Sequence, residues 1–123
     1  MVKHAFETGE YLLGSYKVQN ASWINGEWFG AGQWLRALVT NRRLLIVPDA
    51  HRREILEVIV PAEIRRVWNL CLGRRDGILV ALHDGRRLYM LVDWSQGNRL
   101  ARDINEMLTP PLKPHITPRL YPF

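Results

Sequence analysis

The sequence predicts a small, mainly β (α+β) domain of about seven antiparallel strands, capped by one C-terminal α-helix. Short apolar-containing runs recur through most of the chain with turn signals between them. One later stretch has helical rather than alternating periodicity. The clearest anchor is Trp34–Pro48, WLRALVTNRRLLIVP, in which two apolar runs flank Thr40-Asn41-Arg42-Arg43 and a proline stops the second. Such a pattern describes two antiparallel strands joined by a polar turn, an arrangement met more often in binding domains than in catalytic ones.

The elements follow in order. Glu10–Ile24 is a long strand, and Asn25-Gly26 after it is a strong hairpin signal, because a type I′ turn needs positive φ at both central residues. A two-residue turn pairs Ile24 with Glu27 and Trp23 with Trp28. Gly30-Ala31-Gly32 marks a bulge or bend before the second strand resumes at Gln33. Strand three is Arg42–Val47 and strand four Arg53–Val60, whose Ile55, Glu57 and Ile59 share one face and Leu56, Val58 and Val60 the other. Pro61-Ala62-Glu63 makes a turn or a single helical turn. Ile64–Leu72 is the fifth strand and Gly73–Gly77 a loop; Ile78–His83 and Arg86–Val92 form a tight hairpin about Asp84-Gly85.

The helix is expected to begin near Asp93, which with Gln96 three residues on fits a capping box. Leu100, Ala101, Ile104, Met107 and Leu108 line its apolar stripe, and Gly97 on that stripe allows close packing on the sheet. Arg99–Asp103 and Arg102–Glu106 are expected as ion pairs on the outer side. Pro110-Pro111 ends the helix. Residues 1–109 therefore form the domain and 110–123 a proline-rich extended tail, whose Leu120, Tyr121 and Phe123 are candidates for self-association.

Bulk properties narrow the function. A chain of 123 residues, 47% hydrophobic, suits a single core. No apolar run approaches the ~20 residues that cross a bilayer, and Met1–Glu10 lacks the apolar region of a signal peptide, which points to the cytoplasm. Cys71 is the sole cysteine, so neither an intrachain disulfide nor a cysteine-based zinc site is expected. The four histidines lack metal-ligand spacing, and no nucleophile elbow, phosphate-binding loop or metalloprotease motif occurs. A non-enzymatic domain without a cofactor or metal is expected.

The formal net charge is +5, and 14 of the 17 basic residues are arginine, including the pairs Arg42-Arg43, Arg52-Arg53, Arg65-Arg66, Arg74-Arg75 and Arg86-Arg87. A positive balance favours anionic partners. Neighbours on a strand point to opposite faces, so each pair is expected to divide between faces and to serve mainly as solvated surface. Nucleic-acid binding ranks third among the readings, because neither a stacking motif nor a recognition helix is present.

The run Leu38-Val39-Thr40-Asn41-Arg42-Arg43-Leu44-Leu45-Ile46-Val47 resembles the L-x-T-N/D-x-R-L hairpin of the GRAM and bacterial branch of pleckstrin-homology-like (PH-like) domains. Ile59-Val60-Pro61-Ala62-Glu63-Ile64 is similar to that branch's turn into the fifth strand, and the helix follows where the family has one. Coverage runs from about Gly9 to Leu108. The resemblance implies a PH-like barrel of seven strands in two nearly orthogonal sheets, with the helix plugging one end. It also implies a non-catalytic module for lipid headgroups or protein partners, with homo-oligomers common in the bacterial branch. The phosphoinositide motif of the wider family is incomplete: Lys17 and Arg36 can supply its first and last bases, but Trp34 stands where the middle one belongs.

Two functional readings follow. In the first, Trp23, Trp28, Phe29 and Trp34 of the hairpin, with Lys17, Arg36, Arg42 and Arg43, contact an anionic membrane surface or a membrane-linked protein, giving a cytoplasmic and peripheral-membrane location. In the second, the domain is an assembly or adaptor module without a lipid role, forming a homo-oligomer through the aromatic hairpin or the tail.

Overall fold

The computed structural model describes residues 6–50, 54–72, 75–93 and 95–109, excepting the side chains of Trp23, Cys71, Leu72 and Arg75. Seven strands and one helix are formed: β1 (Leu12–Ile24), β2 (Glu27–Thr40), β3 (Leu44–Pro48), β4 (Glu57–Ile59), β5 (Ile64–Leu72), β6 (Arg75–Leu82), β7 (Arg87–Val92) and α1 (Gly97–Leu108). A single 3-10 turn, Pro61–Glu63, leads into β5. The tail and its candidates Leu120, Tyr121 and Phe123 lie outside the described residues.

All neighbouring strands are antiparallel, in the order β4-β3-β2-β1-β7-β6-β5. The two halves expected as separate sheets are thus continuous through β1, which pairs with β2 over nearly its whole length and with β7 at Val18, Gln19 and Asn20. Laid flat, β4 and β5 would be about 29 Å apart at the usual strand spacing. Yet Ile59 of β4 and Ile64 of β5 share one buried cluster with Val18, Val39, Val80, Met90 and the helix residues Leu100 and Ile104. The sheet therefore curls round a common core. Helix α1 packs chiefly on β5, with further contacts to β1, β2 and β6.

The β1–β2 hairpin has the expected register: Trp23 opposite Trp28 and Ile24 opposite Glu27, with Asn25 and Gly26 both at positive φ. The expected bulge is also present. Gln19 pairs with Trp34 and Ala21 with Gly30, so the Ala31–Gln33 segment loops out, tied by the Gln19 side chain donating to the Gly32 carbonyl at 3.0 Å.

Three elements differ from expectation. The fourth strand is only Glu57–Ile59, because β3 offers it partners from Leu44 to Ile46 and Val60 already caps the 3-10 turn. The loop expected at Gly73–Gly77 is mostly strand: β6 begins at Arg75, opposite Leu72. Here tertiary contacts override the turn signal, since Asp76 and Gly77 are both buried.

Asp93 does not cap the helix. The N-cap is Gln96, which makes no side-chain capping bond, and the Gly97 N–H donates instead to the Asp76 carboxylate of β6 at 3.2 Å. A carboxylate from another element thus meets the positive end of the helix dipole. Asp103, expected on the outer side with Arg99, is buried and accepts the Tyr16 hydroxyl's hydrogen bond. Arg102 lies 3.8 Å from Asp103.

Candidate functional site

The outer face of the curled sheet carries the functional candidates, and the strand register orders them. Leu35, Ala37 and Val39 of β2 face the core, so Trp34 and Arg36 face outward, next to Lys17 and Gln19 of β1. The Lys17 ammonium sits 5.1 Å from the centre of the Trp34 ring, which is 45% exposed. An exposed cation–π contact of this kind contributes about 0.5–1 kcal/mol and holds the lysine head over an aromatic surface. Arg36 is more committed: its Nε meets Asp49 at 3.0 Å and its Nη1 donates to the Ser15 hydroxyl at 3.1 Å.

Arg42 and Arg43 belong to a clamp on the N-terminal segment. Arg43 donates from Nε and Nη2 to the two oxygens of Glu10, at 2.9 and 3.1 Å, and Glu10 is buried. The Thr40 hydroxyl donates to the same carboxylate at 2.6 Å while accepting from the Arg42 and Arg43 N–H groups at 3.1 and 3.0 Å. The Asn41 side chain accepts from the Tyr11 N–H at 2.8 Å and donates to the Gly9 carbonyl at 3.1 Å. Burial alone would raise the Glu10 carboxyl, but the bonds from Arg43, Thr40 and the Glu7 N–H outweigh it and hold the group below its usual range. The Thr-Asn-Arg-Arg turn thus stitches the chain entry to the β2–β3 hairpin. Arg42 is exposed and lies 3.7 Å from Glu7.

The aromatic residues of the hairpin do not form one patch. The arm curls back over β6 and β7, and Trp28 is only 6% exposed. Its ring lies edge-on to Tyr89 at 6.0 Å, its Nε1 donates to the Leu70 carbonyl at 3.3 Å, and it occupies the space above Gly77. With Leu79 and Leu91, both buried on the same outer side, it makes a second, smaller apolar cluster outside the main core. Phe29, pointing the other way, is exposed, as are Ile24 and Trp34. The Trp23 side chain is outside what is described.

A cluster that the linear sequence does not mark lies beside this second cluster. On β5, Ile64 pairs with Leu82 and Arg66 with Ala81, so Arg65 is the extra residue of a β-bulge. The bulge overturns the expectation that an arginine pair must divide between faces. Arg66 stacks 4.9 Å from the Trp68 ring, and Arg65 and Trp68 both line a shallow pocket of about 90 Å³. Ala81 in turn pairs with Arg87, which places Arg66, Ala81 and Arg87 in one row across three strands.

Ala81, Leu82, Gly85, Arg86 and Arg87 complete the pocket. Arg86 is held by Glu57 at 2.9 Å and Asp84 at 3.1 Å. Arg65, Arg66 and Arg87 make no ion pair among the described residues, and all three are exposed. The signal available in the sequence was two arginine pairs at strand ends; only the register of two successive hairpins brings them together.

Among the described residues no group of three His, Cys, Asp or Glu side chains is placed to hold a metal ion, and no helix is long and apolar enough to cross a membrane.

No family model matches the chain, and no curated protein matches it. Solved structures do. The C-terminal domain of an unknown protein from Leishmania infantum is similar with a TM-score of 0.58 at 17% identity, over 83% of this chain and 88% of that one. The C-terminal phosphotyrosine interaction domain of APBB2 from mouse is similar with a TM-score of 0.53 at 9% identity, over 83% and 89%. At such identities the likeness is one of fold. Seven antiparallel strands curled about one core, closed by a C-terminal helix, constitute a PH-like fold.

Proposed function

We propose that this chain is a non-catalytic binding module whose outer face docks on an anionic membrane surface. One observation carries the reading: Lys17, Arg66 and Arg87, cations with no carboxylate partner among the described residues, share the outer side of the sheet. Lys17 lies over an exposed tryptophan, a pairing suited to a headgroup boundary. Exposed Ile24 and Phe29 at the hairpin end add apolar contact. Arg36, Arg42 and Arg43 serve this face mainly by holding its strands, since each lies within 4.0 Å of a carboxylate.

The test is co-sedimentation with phosphatidylcholine vesicles, with and without phosphatidylserine, at low and high salt. Binding only to the anionic vesicles, weakened by salt and reduced several-fold by Lys17→Ala/Trp34→Ala, is the expected result. Absence of binding, or equal binding to neutral vesicles, defeats the membrane reading. Trp28 is unsuitable for this test because its removal opens a buried cluster.

A second reading, self-association without a lipid role, is favoured by Leu56, Val58 and Val60, which leave apolar surface beside the open edge of β4. The tail residues Leu120, Tyr121 and Phe123 would add to such a surface. Light scattering on the intact and tail-deleted chains separates the readings: a monomer in both removes self-association.

A further inference from the structure

We propose that the pocket bounded by Arg65, Arg86 and Arg87 binds a phosphate monoester, carried by a lipid headgroup or free in solution; the proposal deepens the reading of the outer face as a surface for negative charge. Three arginines, Arg65, Arg86 and Arg87, line it, and among the described residues the carboxylates of Glu57 and Asp84 both meet Arg86. Arg86 is thereby held through its Nε and Nη1, and its Nη2 meets no carboxylate among the described residues. Arg65 and Arg87 flank the opening from β5 and β7 with no ion pair among the described residues.

The small side chain of Ala81, between Arg66 and Arg87 in the cross-strand row, leaves the space that a longer residue would fill. Trp68 forms one wall, and Arg66 packed on its ring keeps another positive charge at the rim. A site of this kind suits a compact anion of high charge. A phosphate monoester carries about −1.5 to −2 charges at neutral pH and three terminal oxygens, enough to meet more than one planar arginine fork at once. A diester, with one charge and two terminal oxygens, fills the same arrangement less completely.

A membrane lipid or a small phosphate ester is favoured over a phosphorylated peptide. The stretch of β5 beside the pocket is bulged at Arg65 and follows directly on a proline-initiated 3-10 turn. That segment is a poor template for an added peptide strand, because a bulge twists and interrupts a regular edge.

The experiment compares the intact chain on vesicles containing phosphatidic acid, a monoester, with vesicles containing phosphatidylglycerol, a diester, matched in surface charge. Titration with soluble glycerol 3-phosphate and with a phosphotyrosine peptide runs alongside. The expected result is several-fold tighter binding to the phosphatidic acid vesicles, with that excess lost in Arg65→Gln/Arg87→Gln. Both arginines are exposed and make no ion pair among the described residues, and circular dichroism checks that the variant keeps its fold. Lys17→Ala/Trp34→Ala should instead weaken both vesicle types alike.

Equal binding to the two vesicle types, together with no response to glycerol 3-phosphate, overturns the pocket while leaving the membrane reading intact. Binding of glycerol 3-phosphate that depends on Arg87, without vesicle binding, keeps the pocket and removes the membrane. Binding of the phosphopeptide alone overturns the proposal.

Discussion

Glu10 illustrates how a residue's role is set by what it meets. Its carboxylate, buried between Arg43 and Thr40, is held below the ordinary range. The folded value lies under the unfolded one of about 4.3, so the stabilisation is fully present above that pH and is lost as pH falls through the folded value. Glu10→Gln should cost about 3 kcal/mol at neutral pH, as expected for breaking a buried pair, and less as pH falls through the folded value. Urea melts of both chains across that range measure it; a cost that does not shrink on acidification rules out the linkage.

Tyr16 works in the opposite direction. Burial and its bond to Asp103 push the phenol up to about 12. Its contribution is complete below the unfolded value of about 10 and declines as pH rises toward 12.

At the scale of elements, the β1–β2 arm is the feature that most changes the reading of the chain. It is too long to pair with β7 throughout, and its distal part wraps over the outside of β6 and β7. Gly77 makes room for this: a β-carbon there would run into the Trp28 ring. Gly77→Ala should cost about 2 kcal/mol through overpacking, and Trp28→Ala about 4 kcal/mol through the cavity left behind. The two effects should be coupled, since removing the ring removes the clash. A double-mutant cycle by thermal melting measures this; strictly additive costs would mean that the ring and the glycine do not press on one another.

At the scale of the whole molecule, both halves of the sheet and the helix contribute to one buried cluster. Among the described residues neither half has a core of its own, since even the Trp28 ring of β2 meets Tyr89 of β7 and the Leu70 carbonyl of β5. Unfolding should therefore be a single cooperative transition, with tryptophan fluorescence and far-ultraviolet circular dichroism changing together in denaturant. Non-coincident curves would indicate that the arm or one half melts separately.

The sequence by itself determined the number of strands, their hairpin order and the closing helix, but not the extent of β4 or the start of β6. The reasons are local: Asn25-Gly26 and Asp84-Gly85 dictate tight turns, alternation marks faces, and the stripe from Leu100 to Leu108 marks the helix. Register at the Trp23–Trp28 pair was legible for the same reason, because a two-residue turn leaves no freedom of pairing. The hairpin about Thr40-Asn41-Arg42-Arg43 was legible too, but not the purpose of its turn, since Glu10 and Gly9 reach that turn from the far end of the long hairpin.

Tertiary structure alone decided which aromatic residues are available and which cations remain uncompensated. The burial of Trp28 depends on the curl of the arm, the capping of α1 on a carboxylate from β6, and the arginine pocket on a bulge at Arg65 combined with two hairpin registers. These are contacts between segments far apart in the chain, and the residues on either side of each contact look ordinary until the sheet closes.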